Sequence, residues 1–498
     1  MSIKKNIIAN FAGSAWSALM GLAFIPFYIR LMGAEAYGIV GVFVSIQIMF
    51  SVLDLGLSQA LSREMARLSV DRKNADLMAD MARTLEIVYW GIALGVAALI
   101  AMLSDYIAYH WLNPEHLSRE SLVEALWVIA VVVGLRWPIA LYMGGLNGLQ
   151  RQVMVNGLLA VFVTLQGAGA LAVLSLVEPT IHAFFMWQAI MALLQVLVLR
   201  SALWRSLPSE GDGTFRIEVF KGVWRFAAGM TGISLLVTIL TQVDKVLLSK
   251  LLPLAEFGYY TFAATAAAIV YKLIAPIFTA YYPLFTELAS KDDQPSLARA
   301  YHQGCQLMAV AILPATLVLS FFSKQILELW TNNPDIVAHS SLLISLLVIG
   351  NALNGLMNLP YALQLAHGWT KLAFYQNIIA VIVLVPAIYF STLRWGAVGA
   401  AGVWIILNSG YLLISVQVMH RRLLTVEKSR WYVDDVGKIL LSVLVVTGIG
   451  RVLMVGGLGG IAKITILVIT LTIATIAAIV NAKTLRECFP FKYFLGAR

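Results

Sequence analysis

Charged residues are scarce in this chain. They make up 12% of its 498 residues, whereas a soluble globular protein carries about 25%. Hydrophobic residues make up 60%. Apolar runs of roughly 20 residues, long enough to cross the ~30 Å hydrocarbon core as helices, recur along the sequence. The composition excludes an ordinary soluble enzyme and predicts an all-α integral membrane protein.

Cysteines and nucleotide- or metal-binding motifs are also few. Cys305 lies in an apolar run and Cys488 near the C-terminal end, so neither a disulfide framework nor a CxxC metal site is expected. No GxxxxGK[ST] motif is present, and His110, Glu115 and His116 do not form HExxH. We therefore predict no catalytic residues, no metal site and no ATP as the direct energy source.

The net charge of +9 does not indicate a nucleic-acid partner, because the basic residues fall in short segments between apolar runs and form no stripe. Lys4 and Lys5 precede an apolar run from Ile7 to Ile29. That run is longer than the roughly 7 to 15 residues of a signal peptide core, so it is predicted to be the first membrane helix.

Fourteen membrane helices are predicted from the apolar runs. They run about 7–29, 38–62, 82–104, 121–146, 154–176, 180–200, 226–250, 257–284, 301–322, 338–366, 371–392, 397–419, 436–456 and 461–481.

The basic residues set the predicted orientation. Alternating the connections places most of them on one side of the bilayer. The other side receives only Arg30, Arg119, Lys250, Lys324, Arg394 and Lys463. Basic loops are cytoplasmic, so both termini are predicted to be cytoplasmic. The longest outer connection runs from about Asp105 to Glu120, which leaves no room for an extracytoplasmic catalytic domain.

The chain matches itself weakly at an offset of 220 residues. Leu31–Gly38 lies over Leu251–Gly258, and Arg151 lies over Lys371. Each repeat holds six helices, an even number, so the copies are related by an axis along the membrane normal and form a V-shaped pair of bundles. The predicted domains are an N-terminal bundle, 1–205, a C-terminal bundle, 215–422, and an accessory helix pair with a cytoplasmic tail, 432–498. Substrate is expected between the halves, with alternating access.

Two cations lie deep in predicted helices. Arg136 is roughly 10 residues, or about 15 Å, from the nearer end of the fourth helix, and Lys272 lies at similar depth in the eighth. A charge at helix centre costs about 2.5–3.5 kcal/mol, so each is a candidate functional residue. The two helices belong to opposite halves, and both cations are expected to face one central cavity.

Two carboxylates are also predicted inside the membrane. Asp244 and Lys245 are sequence neighbours and are not expected to pair face to face. One alternative is that Asp244 neutralises Lys272 on the next helix. The other is that Asp244 forms a structural ion pair while Lys245 snorkels outward. Asp54 either carries a coupling proton or bonds Arg63 or nearby backbone. These alternatives stay open from the sequence.

Amides form a further candidate group. Asn351, Asn354 and Asn358 share one face of the tenth helix, where they either bind sugar hydroxyls or hold helices together. We favour the first interpretation, and Tyr271 beside Lys272 joins Lys245 in the predicted substrate-binding set. For the remaining intramembrane glutamines, helix packing is the favoured interpretation. These are Gln47, Gln59, Gln166, Gln188 and Gln195.

Short motifs occur along nearly the whole chain. They are Asn10, Tyr37 and Gly38, DLGLSQALSRE at Asp54–Glu64, Asp244 followed by GYY at Gly258–Tyr260, and Pro276 and Pro283. With these motifs the sequence resembles the polysaccharide-transport, or Wzx-type, branch of the multidrug/oligosaccharidyl-lipid/polysaccharide (MOP) exporter superfamily.

The resemblance implies a flippase that moves an undecaprenyl-diphosphate-linked oligosaccharide, such as an O-antigen unit, from the inner to the outer leaflet of a bacterial inner membrane. It implies no cofactor, and coupling to a proton or sodium gradient through Asp54 or Asp244. Arg136 and Lys272 would face the diphosphate. Membrane lipid, a polysaccharide polymerase and assembly proteins are the implied partners. Related peptidoglycan-precursor flippases carry arginines in the first two helices; helix one here has none within it, which argues against that substrate.

Three other functions compete with this one. A multidrug exporter of the same superfamily carries cations, which Arg136 and Lys272 would repel. A membrane glycosyltransferase or polymerase is disfavoured by the short outer loops and by the lack of an acidic catalytic cluster. A non-transporting scaffold of a polysaccharide assembly complex stays open.

The orientation can be tested by cysteine labelling. After Cys305 and Cys488 are replaced, a single cysteine between Asp105 and Glu120 should react with a membrane-impermeant maleimide in intact cells, because this loop is predicted to face outward. A cysteine beside Arg72 should react only after permeabilisation. The reverse labelling pattern would overturn the predicted topology.

Overall fold

The computed structural model describes residues 3–71, 74–208, 211, 213–221, 231–454 and 458–488. Helices make up nearly all of these ranges, which contain no β-strand. Within them, twelve helical segments are long and apolar enough to cross a membrane. The predicted all-α integral membrane fold is confirmed.

The predicted fourteen helices are compatible with these twelve segments. The segment Lys371–His420 covers two predicted helices, and its backbone is non-helical at Gly396 (φ 57°, ψ −144°) between them. The predicted seventh helix starts outside the described residues, and its described part, Thr231–Leu251, is not among the twelve.

The chain divides into two compact units, Met1–Gly258 and Tyr259–Arg498. The domain bounds drawn from the sequence stay a prediction. The helices of the first unit are α1 Ile3–Ala23, α2 Ile25–Met32, α3 Ala34–Ser51, α4 Leu57–Leu68, α5 Ala75–Tyr106, α6 Arg119–Gly148, α7 Gln152–Leu176, α8 Ile181–Ser206 and α9 Thr231–Leu251. Helix α10, Leu254–Ala267, begins in the first unit and ends in the second.

The second unit continues with a further set of helices. These are α11 Ile269–Ser290, α12 Gln294–Phe321, α13 Ser323–Thr331, α14 Pro334–Ala366, α15 Lys371–Gly410, α16 Val416–His420, α17 Lys428–Arg430, α18 Lys438–Leu453, α19 Gly460–Asn481 and α20 Lys483–Cys488. A π-helical turn, Trp431–Gly437, joins α17 to α18.

Side-chain caps fix several helix starts. Ser118 accepts a hydrogen bond from the Ser121 N–H (3.1 Å) at the start of α6. Asp293 accepts one from the Ser296 N–H (3.1 Å) at the start of α12. Asn333 caps α14, whose first residue is Pro334. Such residues satisfy N–H groups that have no partner inside the helix, so the loop sequences delimit the apolar runs.

Three predicted membrane helices are interrupted. The first is interrupted at Phe24, between α1 and α2, with Pro26 in the first turn of α2. The second, predicted as one helix over 38–62, is broken between α3 and α4 at residues 52–56. The eighth, predicted over 257–284, is broken at Ala268. Breaks of this kind occur in membrane proteins where the chain lines a cavity, and the hydrophobic periodicity gave no sign of them.

The helices pack in the same way in each unit. In the first unit α6 packs against α4, α5 and α8; in the second α14 packs against α11, α12 and α15. An offset of 220 residues carries α4, α5 and α6 onto α11, α12 and α14, and carries α8 onto the part of α15 that follows the break at Gly396 and onto α16. The two six-helix repeats predicted from the sequence are therefore confirmed by the packing within each unit.

Gly38 and Gly258, equivalent at the same offset, mark a close approach between α3 and the first turn of α10. A Cβ atom on Gly38 would lie 2.4 Å from the Leu254 carbonyl oxygen, and one on Gly258 would lie 2.1 Å from the Ala34 carbonyl oxygen. Ala34 and Leu254 are also equivalent. Only glycine allows this backbone contact, which has an internal two-fold character.

Gly38→Ala and Gly258→Ala should each lower the free energy of unfolding of the purified protein by about 1–3 kcal/mol. The reason is that the added methyl group overlaps backbone atoms that cannot move freely. Gly91→Ala in α5 is the control, since a Cβ there meets nothing within 4 Å and alanine is the better helix former. Unfolding in detergent is the measurement. Equal stability of all three variants would contradict the close contact.

Candidate functional site

The break between α3 and α4 positions Asp54. Val52–Asp54 forms a single 3-10 turn, and Leu55 (φ 51°) and Gly56 (φ 78°) follow in the left-handed region. Glycine adopts this conformation readily, whereas for Leu55 it stores of order 1–3 kcal/mol of strain. The DLG sequence thus ends one helix, starts the next and leaves the Asp54 carboxylate at the junction.

The partners of Asp54 are hydroxyl groups. Ser58 Oγ donates to Asp54 Oδ2 (2.9 Å), and the Tyr89 hydroxyl donates to Asp54 Oδ1. Arg63, named from the sequence as one potential partner, pairs with Glu64 at 3.3 Å, and its bonding to Asp54 stays a prediction. Two neutral donors orient the carboxylate without cancelling its charge.

Arg136 is held by amides and by an aromatic ring. Its Nη2 donates to Gln188 Oε1 (2.7 Å), with a longer contact to Gln166 Oε1 (3.4 Å). Gln166 in turn donates to Gln195 (2.9 Å). The guanidinium carbon lies 5.2 Å from the centre of the Phe43 ring, a cation–π contact. The glutamines assigned to helix packing thus bridge helices and also fix the cation.

The charge of Arg136 has no carboxylate counterpart in the described part of the chain, where it forms no ion pair. Its Nε atom is buried and makes no hydrogen bond there. A buried cation is stable only when its surroundings supply compensation. Neutral amide oxygens supply part of it, and the remainder is open to an anion.

Arg136 and Asp54 line the same cavity in the first unit. The cavity has a volume of about 150 Å³. Its walls are Gln47, Ser51, Asp54, Tyr89, Val133, Arg136, Trp137 and Ala140. Its volume suits an ion or a small anionic group, whereas a whole glycan headgroup would need a wider opening.

Asp244 pairs with its sequence neighbour. Lys245 Nζ lies 3.2 Å from both carboxylate oxygens of Asp244 and donates to the Thr241 carbonyl oxygen (3.0 Å). The expectation that these neighbours do not pair is wrong, because the flexible lysine stem folds back along α9. Asp244 therefore has a counter-ion on its own helix, and neutralisation of Lys272 by Asp244 stays a prediction.

Lys272 lies near the start of α11 with its side chain exposed, and it forms no ion pair within the described residues. Tyr271 donates instead to Asn351 Oδ1 (3.1 Å). Lys272 and Tyr271 thus point to different surroundings, although they are neighbours in the sequence.

The asparagine stripe on α14 joins helices of the second unit. Asn351 accepts from Trp404 Nε1 (3.0 Å) and donates to the Ala267 carbonyl (3.0 Å). Asn354 donates to Asn408 Oδ1 (2.9 Å), and Asn358 donates to the Asn354 carbonyl (3.0 Å). These contacts fit the packing interpretation for Asn351 and Asn354, while sugar binding by the stripe stays a prediction.

The side chains that hydrogen-bond to Asp54 and Arg136 could not be identified as their partners from the sequence. Tyr89, Ser58 and Gln188 carry no charge and sit in otherwise ordinary helical patterns. The spacing of Ser58 four residues after Asp54 was the one available signal, since residues four apart lie on one face. Tyr89 and Gln188 come from distant helices and need the fold to be found.

Broken membrane helices with charged residues at the breaks are typical of transporters. The chain belongs to the polysaccharide biosynthesis protein family, whose model matches residues 3–289. A second model, MatE, matches residues 230–390. Membership of the MOP exporter superfamily, predicted from the short motifs, is confirmed.

Relatives span most of the chain. The "Putative O-antigen transporter" of Shigella flexneri is 21% identical over 416 residues, which cover 81% of this chain and 94% of that protein. The lipid II flippase MurJ, in its inward closed conformation, matches at a TM-score of 0.73 and 14% identity, covering 98% of this chain and 100% of that one. An inward-facing MATE multidrug resistance transporter of the MOP superfamily matches at 0.67 and 15% identity, over 83% and 96%. The structural likenesses establish the fold.

Gln188 offers a test of the compensation at Arg136. Gln188→Glu should raise the unfolding temperature, because a carboxylate replaces the amide oxygen 2.7 Å from the cation. Gln188→Leu should lower stability by about 1.5–3 kcal/mol, the usual worth of a hydrogen bond to a charged group. Gln59→Glu, at an exposed position of α4, is the control. Thermal unfolding in detergent that ranks Leu above Glu would refute the assignment.

Proposed function

We propose that this protein is a flippase that moves an undecaprenyl-diphosphate-linked oligosaccharide, an O-antigen or similar surface-polysaccharide unit, from the inner to the outer leaflet of a bacterial inner membrane by alternating access. The observation that carries the proposal is the Arg136 guanidinium, which lines a cavity without a carboxylate partner among the described residues. The names of the O-antigen and lipid II relatives support a lipid-linked substrate.

A diphosphate is the part of such a substrate that most needs the protein. Its charges lose their hydration on entering a low-dielectric bundle, and a fixed cation compensates for that loss. A guanidinium has five donors in a planar fork suited to phosphate oxygens. In Arg136 the Nε donor is buried and unpaired, and the 3.4 Å contact from Nη2 to Gln166 is weak enough to be exchanged. We assign Arg136 to the diphosphate, with Lys272 as the second cation.

The sign of the charge separates this function from a multidrug exporter. The MatE match over residues 230–390 gives that alternative its support. A cationic drug, however, would meet Arg136 in the cavity of the first unit, where like charges repel and low dielectric strengthens the repulsion. An anionic substrate is attracted at the same place.

Asp54 is our candidate for ion coupling. It shares the cavity with Arg136, so the site holds fixed charges of both signs. Protonation of Asp54, or binding of sodium to it, would make the cavity more positive and favour the anionic headgroup. Release of the ion would then weaken substrate binding. Asp244, already paired with Lys245, is the less available carboxylate.

A multi-pass membrane protein has lipid and other membrane proteins as its neighbours. We propose membrane lipid around the bundles, both termini in the cytoplasm, and a polysaccharide polymerase and assembly proteins as partners that receive the flipped unit. A glycosyltransferase or polymerase would need an acidic catalytic cluster. The cavity in the first unit instead has one carboxylate, Asp54, in its lining, together with the guanidinium of Arg136.

Arg136→Ala and Lys272→Ala should each reduce surface polysaccharide by about tenfold or more, the effect of losing a charge-assisted contact of ~1.5–3 kcal/mol. Lipid-linked units should accumulate while membrane levels of the protein stay constant. Gln188→Glu should also reduce transport, although it stabilises the fold, because it neutralises Arg136.

The control is Arg451→Ala, which removes an exposed arginine from α18 and should leave polymer unchanged. The assay uses cells that lack their own flippase, with polymer and lipid-linked units measured together. Normal polymer in both Arg136→Ala and Lys272→Ala cells would refute the proposed cation site.

A further inference from the structure

A buried cluster of ionisable groups lies in the second unit, where α12 meets the C-terminal helices. The His302 side chain is fully buried and stands between two carboxylates. Its Nδ1 lies 2.5 Å from Asp435 Oδ2, and its Nε2 lies 2.9 Å from Glu427 Oε2. Asp435 is fully buried, and the Glu427 side chain is 21% exposed. No function assigned above uses these three residues.

The geometry requires a bound proton. A neutral imidazole donates through one nitrogen and accepts through the other. Ionised carboxylates only accept, so a neutral ring between two of them would direct a lone pair at an anion. Both contacts become hydrogen bonds only if His302 carries protons on both nitrogens or if one carboxyl group is protonated. Either way, the three side chains hold one proton more than a neutral ring with two carboxylates.

The charge count of the cluster agrees with this requirement. Glu427 and Asp435 contribute two negative charges, and Arg430, 3.6 Å from Glu427, contributes one positive charge. One bound proton makes the cluster neutral, which is the favoured state in a medium of low dielectric.

Other groups around the cluster leave that balance unchanged. On α12, the thiol of Cys305 and the hydroxyl of Tyr301 are buried and neutral. His420 uses its Nδ1 to bond the Val416 carbonyl (2.9 Å). Arg299 and Glu487, of opposite charge, line the adjoining cavity. Lys428 is the first residue of α17, next to Glu427 in the sequence. The Tyr301 ring packs edge-on against the His302 ring, with centroids 5.5 Å apart, and brings no charge to it.

The proton has a route to the cluster. A cavity of about 440 Å³ adjoins it, beside the segment 427–430 of a predicted cytoplasmic connection. It is lined by Pro295, Ala298, Arg299, Glu427, Arg430, Thr484 and Glu487. Glu427 thus belongs both to the cavity wall and to the cluster, so the order from water inward is Glu427, His302 and Asp435. That side is the predicted cytoplasmic side.

The same groups hold the C-terminal helices on α12. Gln306, one turn after His302, donates to Asp435 Oδ1 (2.9 Å) and to Thr484 Oγ1 (3.3 Å). It accepts from the Leu485 N–H (3.0 Å). The proton-bearing cluster therefore lies at the junction of α12, the turn Trp431–Gly437 and α20.

We propose that His302, Glu427 and Asp435 form a proton-binding site that takes its proton from the adjoining cavity, and that the bound proton holds the C-terminal helix pair on α12. Loss of the proton would place a lone pair against a carboxylate and weaken this junction. The site is separate from the cavity of Arg136 and Asp54 and goes beyond the proposed transport function.

The test is the pH dependence of unfolding of the full-length protein in detergent, between about pH 5 and about pH 9, a range that includes the pH values at which histidine side chains ordinarily change charge. If the native state binds the proton and the unfolded state releases it, stability falls as pH rises, by up to about tenfold in the folding equilibrium per pH unit. Asp435→Asn supplies an amide that donates to a neutral His302. This variant should lose the decline and become more stable than the wild type at high pH.

Glu427→Gln makes the same change on the other side of the ring and should behave alike, so it decides the outcome if Asp435→Asn fails to fold. His182→Gln removes an exposed histidine and should keep the wild-type profile. If the amide variants fold and their melting temperatures run parallel to those of the wild type at every pH, the proton site is refuted. The readout involves no transport, so it stands apart from the test of Arg136.

Discussion

The desolvation of charge is the constraint on which this structure depends. In a helical bundle surrounded by lipid, an ion without compensation costs several kcal/mol, so each buried charge needs a partner or a purpose. Glu86 shows the usual solution, because Arg83 (2.9 Å), Arg200 (2.7 Å) and the Tyr142 hydroxyl (2.7 Å) surround it. Arg136 departs from it, since its partners are neutral amides and a ring. This contrast is our reason for assigning Arg136, and not Arg83 or Arg200, to the proposed substrate.

The distribution of charge also separates two kinds of chemistry within one chain. In the first unit, Asp54 and Arg136 face a shared cavity through neutral neighbours, so their charges remain available. In the second unit, His302 is enclosed by two carboxylates, and its charge is balanced within the cluster. The first arrangement suits exchange with a solute, and the second suits the retention of a proton. The cost of desolvating a buried charge applies to both arrangements, and they differ in the side chains that surround the charge.

Much of the fold could be predicted from the sequence, because it follows from apolar run length and from cap residues such as Ser118 and Asn333. The position of Arg136 deep in a helix was equally visible. The helix break at Asp54 was not, since Leu55 is an ordinary apolar residue in the pattern and its left-handed backbone depends on tertiary contacts. Pairing across helices was also hidden. Gln188 reaches Arg136 and Asp435 reaches His302 across 52 and 133 residues, and no periodicity carries that information.

The contact at Gly38 and Gly258 has a consequence for the origin of the chain. Gly38 meets Leu254, and Gly258 meets Ala34, which is the equivalent of Leu254 in the first half. Such reciprocal contacts are the pattern of an isologous interface between identical subunits. A polypeptide of half this length could make the same contact with a second copy of itself. Fusion of two such copies would preserve it and would free each half to diverge: the residue equivalent to Arg136 in the second half is Leu356.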